Sequence, residues 1–118
     1  RVFITLNTLL YDSELSRALE TACFARNCGA DAVIVQDIGF FSLIKGQIPD
    51  FPIHASTQMS INSSAGAAYL RDMGFERVIL AREMKLNEIK EASEAGIETE
   101  VFIHGARCYS FSGQCLMS

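Results

Sequence analysis

Apolar residues in this chain come in two rhythms. Short runs of Val, Ile and Phe recur in "VFITLN", "AVIVQ", "FPIHAS", "RVILA" and "EVFIH", and they are apolar on consecutive positions instead of alternating. That is the pattern of strands buried on both faces, as in parallel sheets flanked by helices. Between the runs the spacing changes to that of a helix. In "SELSRALETACFARNCG", Leu15, Ala18, Leu19, Ala22 and Cys23 fall on one face at 3.6-residue spacing, with Asp12 or Ser13 as N-cap. Further helices are predicted over "NSSAGAAYLRDMG" and "LNEIKEASEAG", and a shorter one over "GFFSLIKGQ", where two glycines weaken the pattern. One unit repeats: "GADAVIVQD" from Gly29, "GFERVILARE" from Gly74 and "GIETEVFIHG" from Gly96 each run glycine, polar turn, strand. Each glycine is predicted to end a helix in the left-handed conformation and lead into the next strand.

Strand alternating with helix five times leaves an open doubly wound sheet or part of a (β/α)8 barrel. No G-x-G-x-x-G loop follows any strand, which lowers the dinucleotide-binding form of the open sheet. The fold class expected is therefore α/β, a partial (β/α)8 TIM-like barrel of about five consecutive parallel βα units. Five strands do not close an eight-stranded barrel, so residues 1–118 read as a single-domain excerpt. Its outer strands "VFITLN" and "EVFIH" would present unpaired backbone, and self-association through those edges is expected.

Composition narrows the setting. The 118 residues are 49% hydrophobic and 20% charged, as a globular domain requires. No run of 18 apolar residues is present and no small-residue cleavage site follows the N-terminal stretch, so no membrane partner and a cytoplasmic location are expected. Net charge is −4 and the ten Lys and Arg are scattered, which gives no electrostatic footprint for nucleic acid in this segment. Four cysteines in a chain of this kind are expected to be reduced. Cys23 lies on the apolar helix face and Cys28 at the helix end; five residues apart, they diverge by about 140° and cannot easily chelate together.

In barrels of this kind chemistry gathers where strands end. There stand Asn7, then Gln36 and Asp37, then His54, Ser56, Thr57 and Gln58, then Arg82 and Glu83, and finally His104 with Cys108 and Cys115. Polar helix caps account for Ser56 and Thr57, but less easily for Arg82, Glu83 and the thiols. Because neighbouring strand residues face opposite ways, only one of Arg82 and Glu83 is expected to point into the mouth, and Arg82 is the choice, as a clamp for a carboxylate or phosphate or as the partner of Asp37 or Glu83. Asn7, Gln36, Asp37, Gln58 and Glu83 are candidate substrate-binding residues. Asn7 and Gln58 could instead tie loops together.

The last stretch, "EVFIHGARCYSFSGQCLMS", closely resembles the signature of the peptidase U32 family, collagenase-like proteases of unassigned catalytic type. Glu100, Phe102, His104, Gly105, Ala106, Cys108, Ser112, Gly113, Cys115 and Ser118 sit where that pattern has them, and "TLNTL", "VQD", "HASTQ" and "AREM" resemble the family's other strand ends. Arg107 departs from the usual apolar residue. The resemblance implies the N-terminal barrel of a U32 protein, of which this chain would hold roughly strands three to seven.

It also implies two activities. As a hydrolase, Cys108 would be a nucleophile activated by His104 or His54, with backbone amides near Gly105 polarising a carbonyl and Arg82 counted among the catalytic residues; a base must then lie within about 3 Å. Alternatively, a hydroxylase branch of the family, acting on RNA bases or in ubiquinone synthesis, carries this cysteine pair and two further cysteines downstream to hold a 4Fe-4S cluster. Cys108 and Cys115, C-x6-C in a loop, would then be two of four thiolate ligands, so the isolated segment is expected to bind no cluster. A zinc site from His104, Cys108 and Cys115 is a third reading, although the spacing matches no familiar zinc module. His54 and His104 are equally readable as hydrogen-bonded barrel-lining residues. The substrate, whether peptide, RNA or small molecule, stays open, as does a fragment with no catalysis of its own.

Overall fold

The structure is a computed structural model and describes residues 1–105 and 108–114. Its fold is α/β, with five parallel strands of one sheet alternating with helices, as in the consecutive units of a partial (β/α)8 barrel. The chain divides into two compact units, Arg1–His54 and Ala55–Ser118.

In the first unit, β1 (Phe3–Leu6) pairs in parallel with β2 (Ala32–Val35), Phe3 opposite Ala32 and Leu6 opposite Val35. Between them runs α1 (Asp12–Asn27), whose predicted stripe is its covered face: Ala22 is buried, and Leu15, Ala18, Leu19 and Cys23 are half-buried. The N-cap is Tyr11, one residue before Asp12 and two before Ser13, the expected caps. Glu14 decides this, because its carboxylate accepts the Tyr11 N–H at 2.9 Å while its own N–H donates to the Tyr11 carbonyl at 2.8 Å. Helix α2 (Ile38–Gln47) follows β2 and buries Phe40, Phe41 and Ile44. With Val33, Val35, Phe51 and Ile53, they form this unit's apolar core. Strand β3 spans Ile53–Ala55, all three buried, as the consecutive apolar pattern requires.

In the second unit, a 3-10 turn (Thr57–Met59) leads to α3 (Ser64–Met73), capped by the Ser63 hydroxyl accepting from the Gly66 N–H at 3.1 Å. Strand β4 (Arg77–Ile79), helix α4 (Leu86–Ser93) and strand β5 (Glu98–Glu100) complete it, with Arg77 opposite Glu98 and Ile79 opposite Glu100. The last strand therefore ends where "EVFIH" was expected to begin. Arg77 explains the register: its guanidinium donates to Glu98 at 2.7 Å and to Glu100 at 2.9 Å, and the Leu80 N–H donates to the Glu100 carbonyl. Past that anchor, Val101, Phe102 and Ile103 leave the ladder and are exposed. Gly29, Gly74 and Gly96 all take positive φ, of 88°, 101° and 80°, the left-handed helix endings predicted from the repeat. Among the described residues, no helix is long and apolar enough to cross a membrane.

Candidate functional site

Beyond β4 the backbone leaves the sheet at Ala81, whose N–H donates to the Ile61 carbonyl, and turns through Arg82 and Glu83 before α4 begins. The Met84 N–H closes this turn on the Ala81 carbonyl at 3.3 Å. Strand alternation no longer applies there. Arg82 and Glu83 consequently face the same way, and the expectation that only one could do so is corrected: both border one open groove of about 830 Å³. Thr57, His104 and Cys108 border it too, with an apolar wall of Phe102, Ile103, Tyr109 and Phe111.

The two turn residues hold the loop that carries Cys108. Arg82 Nη2 donates to the Ser110 carbonyl at 2.5 Å. The Glu83 carboxylate takes both donors of Ser112, its N–H at 2.6 Å and its hydroxyl at 2.5 Å. Ser112 is fully buried and left-handed, with φ 44° and ψ 31°, a conformation that costs a non-glycine residue about 1–2 kcal/mol, which its surroundings must offset. Further along, the Gln114 side-chain amide donates to the Gln58 carbonyl at 2.6 Å and to Ser60 Oγ at 2.9 Å. Thr57 Oγ1 donates to the Leu80 carbonyl, fixing the 57–59 turn beside the same loop.

Electrostatics follow from these contacts. Burial opposes the charge on Glu83, but the Ser112 hydroxyl and N–H, aided by Arg82 nearby, outweigh it and hold the carboxyl below its ordinary value. Hydrogen bonding from the Ser110 backbone and from the Arg82 side chain lowers the exposed Cys108 thiol. An imidazole is not among the groups that lower it. For Arg77, burial disfavours the charge, while Glu98 and Glu100 outweigh that and raise its pKa.

Of the predicted site residues, the groove thus gathers Arg82, Glu83, His104 and Cys108. Gln58 touches the loop through its backbone carbonyl. Asn7, Gln36, Asp37 and His54 belong to the first unit. Asp37 is the N-cap of α2, Oδ1 accepting from the Phe40 N–H at 2.8 Å and Oδ2 from the Leu10 N–H at 3.3 Å. His54 is buried with its ring edge-on to Phe3, centroids 4.9 Å apart. Asn7 and Gln36 are half-buried at the ends of β1 and β2. Cys115 lies outside the described residues. Among the described residues no cluster of three or more His, Cys, Asp or Glu side chains is placed to hold a metal. Cys23 is half-buried on α1 and Cys28 exposed at its end, as the helical spacing predicts. Ser110 and Ser112 were not singled out as site residues. Their partners lie 28 and 29 residues away in sequence, so no local pattern points to them.

The fold and the groove describe an α/β protein with a thiol at a strand's carboxyl end, held by an arginine–glutamate turn. The family model for peptidase family U32 matches residues 1–118, and the chain belongs to that family. It is 44% identical, over its whole length, to the 23S rRNA 5-hydroxycytidine C2501 synthase of Escherichia coli, of which it covers 18%. It is 33% identical to tRNA hydroxylation protein P of the same organism, covering 26% of it, and 36% identical to an uncharacterized protease of Methanocaldococcus jannaschii, covering 30%. The chain thus spans less than a third of the length of each of these relatives. No solved structure matches it significantly.

Proposed function

We propose that this chain is the thiol-bearing part of a protein that hydroxylates an RNA base. The observation that carries the reading is the placement of Cys108: it is exposed on the groove beside Arg82 and the Ser110 backbone, which lower its thiol. Similarity to the rRNA and tRNA hydroxylation proteins supports RNA over peptide as the substrate. A thiolate fits one ligand position of an iron–sulfur cluster. Cys108 and Cys115 would supply two positions, and the remaining ligands would come from outside this chain. When bound, such a cluster supplies redox chemistry. This chain's own residues prepare the site: Arg82 and the Ser110 backbone lower the Cys108 thiol, Glu83 holds the loop through Ser112, and the wall of Phe102, Tyr109 and Phe111 offers flat apolar surface against which a base could stack. The acidic balance of the segment leaves phosphate contacts to other parts of the protein.

The test is a nucleoside inventory. Mass spectrometry of digested rRNA and tRNA from a deletion strain should lack one hydroxylated nucleoside, restored by the wild-type gene and not by Cys108→Ser. An unchanged inventory in the deletion strain would refute the reading. The same lowered thiol also suits a nucleophile, so hydrolysis is the second reading. It requires that His104→Ala, which leaves a metal-binding thiolate intact, abolish peptide cleavage by the native protein.

A further inference from the structure

Two consecutive residues of one turn grip two alternate residues of one loop. Arg82 takes the carbonyl of Ser110, and Glu83 takes both donors of Ser112. The geometry points to Glu83 as the positioning residue of the Cys108 loop: through Ser112 it fixes the left-handed turn at 112–113, and so keeps Ser110 and the thiol beside Arg82 at the groove.

Three observations support the assignment. Ser112 is fully buried, so both of its donors need an acceptor, and the two oxygens of one carboxylate satisfy both at once. Ser112 and Gly113 take φ of 44° and 77°, an unusual pair of left-handed residues that a bidentate anchor can hold in place. Gly113 packs where a Cβ would meet Gln58 Cγ at 3.7 Å and Thr57 Cγ2 at 3.9 Å, so the turn is seated against the 57–59 segment and does not project freely. Cys108 lies four residues upstream and receives the Ser110 backbone and Arg82 hydrogen bonds that depend on this seating. Glu83 is not among the groups that lower the thiol; it acts through Ser112.

The inference concerns the same thiol as the proposed function, but its test needs neither cofactor nor RNA. In the metal-free native protein, Cys108 and Cys28, both exposed, are alkylated with iodoacetamide and quantified separately by peptide mass spectrometry, Cys28 serving as the internal reference. Glu83→Ala should lower the Cys108-to-Cys28 ratio several-fold and speed amide exchange in residues 110–114 about tenfold or more, because a hydrogen bond to a charged acceptor is lost. Exchange in α3 should stay unchanged. Glu83→Gln can still accept the Ser112 N–H and donate to its hydroxyl, so it should restore the ratio to within about twofold of wild type. Should Glu83→Ala fail to fold, Ser112→Ala, which deletes only the hydroxyl, should shift both readouts in the same direction. A Cys108 ratio and loop exchange that stay at wild-type values in the folded variant would overturn the assignment. So would a Gln variant as impaired as Ala, which would mean that the charge alone matters.

Discussion

At Gly29 the backbone turns to φ 88° with nothing within 4 Å of where a Cβ would stand, so conformation alone selects glycine there. Gly46 is equally open, but it sits inside α2 without a positive φ. The same substitution should therefore act with opposite sign at the two sites. Gly29→Ala should lower the stability of the native protein by about 1–2 kcal/mol, the cost of a left-handed alanine, and Gly46→Ala should raise it by up to about 1 kcal/mol. Urea unfolding midpoints decide it, and equal shifts of one sign would contradict the argument. Glycine's role was legible because it rests on a backbone rule that needs no partner. Asp37 shows the converse. Its place after β2 marked it as a candidate binding residue, and its carboxylate is spent on capping α2 and holding the Leu10 N–H, a contact 27 residues away that no local pattern encodes.

Elements were legible in kind and less so in extent. Apolar runs located β1 to β4, and for β2 to β4 the reason is burial on both faces, which writes itself into consecutive apolar residues; β1, at the sheet's edge, is only half-buried. The fifth strand was displaced because the run "VFI" looks more strand-like than "ETE", whereas Arg77 binds the two glutamates that fix the pairing. The turn after β4 departs from the pattern for a related reason: strand alternation holds only as far as the last paired residue, Ile79. That turn also sets a pH dependence. Glu83 is held below its ordinary value in the folded protein, so the folded state binds fewer protons than the unfolded one. Its contribution to stability is complete above the unfolded carboxylate value, about 4.3, and is lost as pH falls through the lower folded value. Arg82 is the charged neighbour whose attraction helps lower the folded value. Thermal unfolding of Glu83→Gln should fall less steeply than wild type on acidification below about pH 4; parallel curves would show that this carboxylate is not the group being titrated.

For the molecule as a whole, the sequence pattern identified the strand–helix alternation but not the clamp, since Arg82–Ser110 and Glu83–Ser112 join residues brought together only by folding. The same scale carries the remaining expectation, that the 118-residue segment by itself self-associates. The outer strand β1 has its ladder partner β2 on one side, and its flank is not blunted by charge: Val2 is 57% exposed, and Phe24 on α1 is 69% exposed beside a largely apolar hollow that also includes Ile4, Ala25 and Ala30. Natural edges are protected by lysine, proline or a bulge, and "VFITL" has none of these. Beyond β5, Ile103 at 93% exposure leaves a second apolar margin. Light scattering after gel filtration should therefore show the segment as a dimer or larger at micromolar concentration. Replacing Ile4 with lysine, which puts a charge on the flank without touching the Cys108 loop, should shift it toward monomer. A wild-type segment that elutes as a stable monomer would show that these margins are not sticky enough to drive association.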